Sequence, residues 1–221
     1  MTPTSTNYSL FDDEPHVPRT ETLFPGAVLL HRYALSKEAP LLAELEKIKE
    51  ASPLRQMLTP GGRTIGVHNT SCGQYGWISD ARGYRYTDLD PIKEQAWPAM
   101  PEEFQRLATS AAALSGYNDF EPDSCLINRY LPGIKMSLHQ DKDETDFSQP
   151  IVSVSLGMSA TFVFGGLQRS DKLSRIDLQH GDVLVWGGPA RLLFHGIQTI
   201  KDQPHPVIGA QRINLTFRRA K

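Results

Sequence analysis

Cysteine is scarce in this sequence. Only two cysteines, Cys72 and Cys125, occur among its 221 residues, and they follow no C-x-x-C spacing. A disulfide framework and a zinc ribbon both need more cysteines at closer intervals. The sequence therefore excludes a disulfide-stapled secreted domain and predicts a protein of a reducing compartment.

Long apolar runs and a strong net charge are also missing. No segment approaches the roughly 20 apolar residues that cross a membrane, and the N-terminus lacks the pattern of a signal peptide. We therefore expect a cytoplasmic protein without a membrane partner. A net charge of −2 argues against holding long duplex nucleic acid by bulk electrostatics. A local basic groove with stacking aromatic rings could still bind a short single strand.

Composition divides the chain into an arm and one domain. Residues 1–24 are polar and carry three prolines, which predicts a poorly ordered arm. Residues 25–221 are long enough for one sizeable core but short for two independent domains. Within them, residues 53–98 combine many glycines with aromatic residues. This composition indicates hairpins that present flat rings as a lid or binding surface, or half-buried hairpins whose rings pack the core.

Apolar periodicity predicts two helices, one from about Ser36 and one from Pro101 to Gly116, followed by strands. The buried faces would comprise Leu41, Leu45 and Ile48 in the first helix, and Phe104, Leu107, Ala111 and Leu114 in the second. A strand is expected at residues 27–33, and later strands at residues 124–130, 134–138, 151–157, 160–164, 173–178, 182–186 and 211–218. Short strands separated by turn signals are typical of a sandwich or jelly roll.

A possible metal site comes from two separated segments. His139 and Asp141 form an H-x-D pair whose side chains point the same way in an extended chain. His195 lies between Phe194 and Gly196, at the predicted end of another strand. Two imidazoles and one carboxylate suit a non-haem Fe(II) centre with open positions. Taken alone, each segment is weak, because H-x-D pairs are common by chance and a lone histidine is usually an ordinary hydrogen-bonded residue.

The last predicted strand has one polar face. Alternation places Arg212, Asn214, Thr216 and Arg218 on the same side. The row could face solvent, or it could bind the carboxylates of a co-substrate through the arginines. The strand predicted at residues 124–130 offers a matching row, which consists of Leu126, Asn128 and Tyr130.

Five motifs together resemble the AlkB family of Fe(II)- and 2-oxoglutarate-dependent nucleic-acid demethylases. The similarity extends from about Pro53 to Arg218, and the motifs occur in the family's order. They are Leu126-Ile127-Asn128-Arg129-Tyr130, Ser137-Leu138-His139-Gln140-Asp141-Lys142-Asp143-Glu144, Phe164-Gly165-Gly166-Leu167, His180-Gly181-Asp182-Val183 and Arg212-Ile213-Asn214-Leu215-Thr216-Phe217-Arg218.

The resemblance implies an α+β fold with a double-stranded β-helix, or jelly-roll, core and N-terminal helices. Residues 25–221 would form a single catalytic domain, with a hairpin nucleotide-recognition lid over 53–98 and the core over 99–221. By the same resemblance, His139, Asp141 and His195 would bind Fe(II), and Arg218 would belong to the catalytic centre. The implied 2-oxoglutarate residues are Asn128, Tyr130, Arg212, Asn214 and Arg218.

The resemblance also assigns the lid and the base pocket. Trp77 would stack on the target base, and Tyr84 and Tyr86 would contact the nucleotide backbone. Asp143 would contact the base, and Arg169 would line its pocket.

The sequence departs from the family pattern mainly in the lid. It has Arg63 and Asn69 where relatives carry an aromatic residue and a methionine, and Ile213 replaces an aromatic residue in the last strand. These differences leave the expected iron chemistry intact. They leave open the range of lesions and the preference between single and double strands.

The implied function is an oxidative repair demethylase of 1-methyladenine and 3-methylcytosine that prefers single strands. It would use Fe(II), 2-oxoglutarate and O2 and release succinate, CO2 and formaldehyde. Single-stranded DNA is the expected partner, RNA is a second candidate, and the protein is expected to act as a monomer. The alternatives are a 2-oxoglutarate-dependent hydroxylase of a protein or small molecule, which needs no stacking lid, and a metal-binding jelly roll without turnover.

Overall fold

A computed structural model of the protein describes residues 19–221. Short 3₁₀ turns lie at Leu35–Lys37 and Gly188–Ala190. The helices are α1 (Glu38–Ala51) and α2 (Glu102–Leu114). The strands are β1 (Arg19–Phe24), β2 (Ala27–His31), β3 (Arg55–Leu58), β4 (Thr64–Gly73), β5 (Gly76–Asp80), β6 (Gly83–Thr87), β7 (Leu89–Asp90), β8 (Gln95–Ala96), β9 (Ser124–Tyr130), β10 (Met136–His139), β11 (Ile151–Gly157), β12 (Ala160–Phe164), β13 (Ser174–Leu178), β14 (Val183–Trp186), β15 (His195–Ile197) and β16 (Arg212–Arg218).

The main frame is an eight-stranded antiparallel sheet with the order β1-β2-β14-β11-β16-β9-β4-β3. Its outer face carries the helices. Leu41 and Leu45 of α1 and Phe104 of α2 pack there against Leu215 and Phe217 of β16 in one buried cluster. The helix spacing of these apolar residues buries one stripe of each helix, as expected for an amphipathic helix that covers a sheet.

Local signals define the ends of α2. Pro101 precedes the helix in an extended conformation, and Glu102 and Glu103 occupy the first turn, where negative charge is favourable. Gly116 follows the helix with a φ of +91°, a conformation that glycine adopts at little cost. These signals place α2 directly over the outer face of the sheet.

The inner face packs against a second, four-stranded sheet with the order β10-β15-β12-β13. Phe162 and Phe164 of the small sheet contact Trp186 of the large sheet, with ring centroids 5.8 and 5.9 Å apart. The two facing sheets form the jelly-roll core, and its open end holds the candidate site.

A separate hairpin, β5–β6, stands beside this core. Ile78 of β5 packs with Met57 of β3 and Trp97 in a small buried cluster. Gly76 permits this packing, because a Cβ at that position would lie 2.2 Å from the Trp97 ring. The hairpin is therefore anchored to the edge of the large sheet by its own small core.

Two of the sequence-based expectations fail in the N-terminal half. The prediction of a poorly ordered arm was wrong for residues 19–24, which form β1 and pair with β2; the rest of the predicted arm, residues 1–18, lies outside the described residues. The predicted lid over 53–98 is divided, because β4 extends the large sheet by pairing with β9, and β3 adds the next strand by pairing with β4.

The predicted buried face of α2 also needs one correction. Leu114 is 60% exposed, although Phe104, Leu107 and Ala111 are buried as predicted. Leu114 is the last residue of the helix, so it lies beyond the part of the helix that the sheet covers.

Within the described residues, no helix is long and apolar enough to span a membrane. The two cysteines are free and buried. Cys72 of β4 lies opposite Cys125 of β9 in the strand register, and both belong to the outer-face cluster.

Candidate metal centre and co-substrate cradle

Strand pairing brings the three predicted metal ligands together. His139 at the end of β10 lies opposite His195 at the start of β15, and their ring centroids are 4.5 Å apart. Asp141 follows two residues after His139. One ligand atom from each of the three residues lies within 4.8 Å of the other two, so the three side chains can bind one ion.

The hydrogen bonds of both histidines direct a free nitrogen toward Asp141. The Nδ1 atom of His139 is 2.9 Å from the Ser137 carbonyl oxygen, and that of His195 is 3.0 Å from the Leu193 carbonyl oxygen. A carbonyl oxygen can only accept, so Nδ1 carries the proton in each ring and Nε2 keeps its lone pair. The Nε2 atoms lie 3.6 and 3.8 Å from the Asp141 carboxylate.

The ionisation states also suit a metal. Burial and the nearby His139 together lower the pKa of His195 to about 4, against the opposing effect of Asp141; the imidazole is therefore neutral near pH 7. Burial acts to raise the pKa of Asp141, but Arg218 and the two histidines outweigh it and hold that pKa below the usual range. A neutral imidazole and an ionised carboxylate are the forms that bind metal ions.

Arg218 on β16 supports the carboxylate ligand. Its Nη2 and Nε atoms donate to Oδ2 of Asp141 at 2.6 and 3.0 Å. The neighbouring carboxylates Asp141 and Glu144 and the phenol of Tyr86 keep the pKa of Arg218 raised despite its burial. The guanidinium therefore stays charged and restrains the orientation of Asp141.

Arg212 lies at the opposite end of the same polar row and has unused donors. It is only 1% exposed, stacks over the Tyr130 ring at 5.1 Å and donates from Nη2 to the Ser155 hydroxyl at 3.0 Å. Its Nε and Nη1 atoms are buried without a hydrogen-bond partner in the described part of the chain. An unpaired buried guanidinium is costly, so these atoms indicate a binding place for a carboxylate.

Two asparagines lie between the arginines. Asn214 of β16 is in register with Asn128 of β9, and both are buried. Asn214 already donates its amide hydrogens to the Ser153 hydroxyl and the Val154 carbonyl at 2.8 and 3.0 Å. Direct donation from Asn214 to a co-substrate would therefore require one of these bonds to be exchanged.

The hairpin carries an aromatic pair near the candidate ligand Asp141, in which Trp77 is half-buried and Tyr84 is exposed. The rings of Trp77 and Tyr84 are nearly parallel, with an interplanar angle of 12° and centroids 5.6 Å apart. The Trp77 indole donates to Asp143 at 2.8 Å, two residues beyond Asp141. This contact holds a flat ring against a carboxylate that follows Asp141 by two residues.

Tyr86 differs from the sequence-based expectation. Its side chain is buried, and its hydroxyl donates to Glu144 at 2.6 Å. Burial raises the pKa of this phenol, so it remains a protonated donor. In this position Tyr86 cannot contact a nucleotide backbone as predicted; it joins the hairpin to the segment that follows Asp141.

The remaining predicted residues lie in different surroundings. Arg169 is exposed, donates to the Leu138 carbonyl at 2.6 Å and stacks over Phe194 at 5.0 Å; it therefore borders both metal-ligand strands. Arg63 is exposed in the turn before β4. Asn69 is buried opposite Asn128, and its Oδ1 atom is unpaired among the described residues. Ile213 packs on the outer face, away from the site.

Sequence reasoning missed two residues of this site, Glu144 and Arg191. They form a buried ion pair at 2.9 Å, with side chains only 2% and 3% exposed. Glu144 occurs within one of the motifs, but no spacing signal marks it as buried. Arg191 lies in the segment between β14 and β15, which only the fold brings next to Asp141.

Comparison with known proteins identifies the family. A model of the 2OG-Fe(II) oxygenase superfamily matches residues 26–218. The alpha-ketoglutarate-dependent dioxygenase AlkB of Salmonella typhimurium is 53% identical over 211 residues, which cover 96% of this chain and 97% of that protein. The chain belongs to the AlkB family.

Two further similarities extend this result. The DNA N(6)-methyladenine demethylase ALKBH1C of Arabidopsis thaliana is 33% identical across 88% of this chain and 48% of that protein. The solved structure of OsALKBH1 superimposes with a TM-score of 0.79 at 31% identity and covers 91% of this chain and all of that one. The predicted jelly-roll core is thereby confirmed for this AlkB-family chain.

As an AlkB-family member, the protein is a dioxygenase that uses Fe(II), 2-oxoglutarate and O2. The residues present fit these groups. The cluster of His139, Asp141 and His195 offers two imidazoles and one carboxylate, and the unpaired nitrogens of Arg212 offer a place for a carboxylate.

Proposed function

We propose that this protein is an oxidative demethylase of 1-methyladenine and 3-methylcytosine in nucleic acid and that it prefers single strands. The contact between Trp77 and Asp143 at 2.8 Å carries the proposal. It supports the proposal because it holds an aromatic ring against a carboxylate two residues from Asp141, the proposed metal ligand. A hydroxylase of a small molecule or a protein side chain would not need this pair of rings.

The proposed ligands for the metal and the co-substrate lie in the inner part of the site. His139, Asp141 and His195 would hold Fe(II), which with 2-oxoglutarate and O2 supplies the oxidising power for attack on an N-methyl group. Arg212 would pair with one carboxylate of 2-oxoglutarate through its free nitrogens. The remaining proposed co-substrate residues are Asn128, Tyr130, Asn214 and Arg218.

The proposed base pocket selects a flat cation. Trp77 and Tyr84 offer their ring faces to a base and its flanking nucleotide, and stacking on aromatic rings suits any base. Methylation at the pairing nitrogen gives adenine or cytosine a positive charge, which the Asp143 carboxylate would favour over an uncharged base. Arg169, fixed on Phe194 and Leu138, would border the pocket.

A single strand is the proposed form of the substrate because the damaged base must leave its stack to reach the pocket. A methyl group on the pairing edge already weakens pairing, and an unpaired strand lowers the cost of extrusion further. DNA is the first candidate and RNA the second. We also propose a cytoplasmic monomer; two free, buried cysteines are compatible with a reducing compartment.

The direct test is mass spectrometry of a single-stranded oligonucleotide that carries one 3-methylcytosine. The oligonucleotide is incubated with the protein, Fe(II), ascorbate and 2-oxoglutarate, and a control omits 2-oxoglutarate. We expect the loss of one methylene mass only in the complete mixture. The same sequence annealed to its complement, and its RNA version, measure the strand and sugar preferences.

Two other results would contradict the proposal. Succinate formation with an unchanged oligonucleotide would retain the dioxygenase and reject the substrate, favouring hydroxylation of a protein or small molecule. The absence of both products from iron-loaded protein would favour a metal-binding jelly roll without turnover.

A further inference from the structure

One buried side chain contacts four residues of the segment that carries Asp141. Residues 140–150 connect β10 to β11 without forming a strand of their own. Arg191 donates from Nη1 to the Asp141 carbonyl at 2.7 Å, from Nη2 to the Glu144 carboxylate at 2.9 Å and from Nε to the Gln149 carbonyl at 3.0 Å. Its guanidinium also stacks over Phe147 at 5.4 Å.

The burial of Arg191 gives these contacts weight. The residue is 2% exposed, so all three nitrogens bond in a place with little competing water. Bonds from a charged planar guanidinium fix both the distance and the orientation of their acceptors. The contacts reach the beginning, middle and end of the 140–150 segment, which restrains a connection that otherwise has few backbone hydrogen bonds.

The position of Arg191 in the chain adds a second link. It follows the turn at Gly188–Ala190 and precedes the ligand His195 on β15 by four residues. The neighbouring Leu192 carbonyl accepts a bond from Gln140 at 2.6 Å. The residues that precede His195 of β15 are therefore hydrogen-bonded to the segment that follows His139 of β10.

Glu144 extends the same connection to the hairpin. Its Oε2 atom accepts from Arg191, and its Oε1 atom accepts from the Tyr86 hydroxyl at 2.6 Å and lies 3.4 Å from Nε of Arg218. A buried carboxylate with several donors is stable only while they remain in place. Arg191 therefore holds both the segment that carries Asp141 and, through Glu144, the strand β6 of the hairpin.

We propose that Arg191 is a positioning residue for the metal site. It fixes the main chain at Asp141, so that the carboxylate faces His139 and His195 before an ion arrives. A metal ligand on an irregular segment needs such support, since a displacement of about 0.5 Å already disturbs a site. This inference rests on the proposed assignment of those three residues as metal ligands.

The test measures the affinity for Mn(II), a redox-stable substitute for Fe(II), from the electron paramagnetic resonance signal of the free ion. Two variants remove the three hydrogen bonds of the Arg191 guanidinium in different ways. Arg191→Lys keeps the charge but cannot reach three acceptors, and Arg191→Met combined with Glu144→Gln leaves no unpaired buried carboxylate. Arg175→Met, an exposed arginine on β13, is the matched control.

We expect both Arg191 variants to bind Mn(II) about 10- to 100-fold more weakly, as for other residues that support metal ligands, while the control matches the wild type. All titrations are run well below the melting temperature of each variant, and circular dichroism gives the folded fraction. A loss of binding that only follows the unfolded fraction would overturn the proposal, as would an affinity within twofold of the wild type in either variant.

Titration of Asp141→Ala with Mn(II) distinguishes the role of Asp141 as a metal ligand from the role of Arg191 as a positioning residue. If it binds Mn(II) as the wild type does, the ligand assignment is wrong and the role of Arg191 falls with it. If Asp141→Ala loses binding while the Arg191 variants keep it, the ligand assignment stands and only the positioning role is rejected.

Discussion

Side chains on both faces of the large sheet are buried, but those of the outer face are apolar and those of the inner face include charged groups. On β16, Leu215 and Phe217 pack into the apolar cluster beneath the helices. The alternate residues Arg212 and Arg218 are just as buried but face the small sheet and the metal cluster. Burial alone therefore does not distinguish a supporting face from a functional one.

The difference lies in the buried side chains that each face carries. Unpaired buried polar atoms occur near both faces, and on the inner face Arg212 has two unpaired nitrogens among the described residues. Such atoms reduce stability when left unpaired. The free nitrogens of Arg212 therefore indicate that the inner face is arranged for a bound group, whereas the apolar cluster of the outer face is arranged for stability.

The strongest test of the inner face is the removal of a ligand. Asp141→Ala should abolish turnover, because it deletes the one carboxylate of the cluster and leaves Arg218 without its partner at 2.6 Å. Oligonucleotide mass spectrometry and Mn(II) titration measure this loss. Full activity in a correctly folded variant would remove Asp141 from the metal site.

Arg212→Met tests the end of the β16 polar row that is proposed to bind a carboxylate of 2-oxoglutarate. Truncating one partner of a buried charge pair costs about 2–5 kcal/mol of binding, so the affinity for 2-oxoglutarate should fall steeply. Isothermal titration of the Mn(II)-loaded protein measures this affinity. We expect Mn(II) binding without 2-oxoglutarate to remain unchanged, and a normal affinity for 2-oxoglutarate would place its carboxylate elsewhere.

Leu215→Ala is the corresponding change on the outer face of the same strand. It removes a fully buried side chain and should lower the free energy of unfolding by about 2–5 kcal/mol. The folded fraction should bind 2-oxoglutarate as the wild type does. Urea denaturation and isothermal titration measure these two quantities; weaker co-substrate binding in the folded variant would show that the faces are not independent.

Trp77→Ala tests whether the hairpin belongs functionally to the inner side. The loss of one stacking platform should weaken binding of a methylated single strand by about 1–3 kcal/mol. Fluorescence anisotropy of a labelled oligonucleotide measures the affinity. Mn(II) and 2-oxoglutarate binding serve as controls, and an equal loss of co-substrate affinity would contradict the proposed placement in the lid.

The smallest expected effect comes from a substitution of His180, which lies beside the helix layer. His180 stacks on His205 with centroids 4.1 Å apart, accepts from the Gly157 amide at 2.9 Å and lies 3.1 Å from Glu38. Burial, His205 and Arg32 lower its pKa, and Glu38 only partly offsets them.

The unfolded chain therefore binds a proton more readily at this histidine than the folded protein does. Stability from this group is complete above the ordinary pKa of about 6.5 and is lost as the pH falls below that value. His180→Asn keeps an acceptor for Gly157 and should flatten the decline in melting temperature between pH 7.5 and 5. An unchanged slope would assign the acid sensitivity to other groups.

The sequence predicted the core strands well because local alternation and turns define them. The bounds of β9, β11 and β12 agree with the expected residues 124–130, 151–157 and 160–164. The three-residue strand β15 was predicted only as a strand end at His195, without bounds, since so short a segment has no measurable period. The joining of β4 to β9 was also missed, because strand partners far apart in sequence leave no local signal.

The same limit applies to the candidate site. The pair His139 and Asp141 and the polar row of β16 were predicted because their spacing follows the strand repeat, and the family resemblance joined His195 to them as a predicted metal ligand. Arg191 and Glu144 were missed because their roles depend on a segment crossing from another part of the fold. Tyr86 was assigned to the nucleotide backbone by the family resemblance, whereas its hydroxyl turns inward to Glu144.

The opposed thiols of Cys72 and Cys125 have a consequence for the protein's resistance to its own chemistry. Sulfur is the element that oxidants attack most readily in proteins, and attack on cysteine proceeds through the thiolate. Both thiols lie in the outer-face cluster, so the whole thickness of the sheet separates them from the iron site. Burial also raises the pKa of Cys125, which keeps it protonated. Neither thiol of the chain therefore faces the side of the sheet on which the dioxygenase site lies.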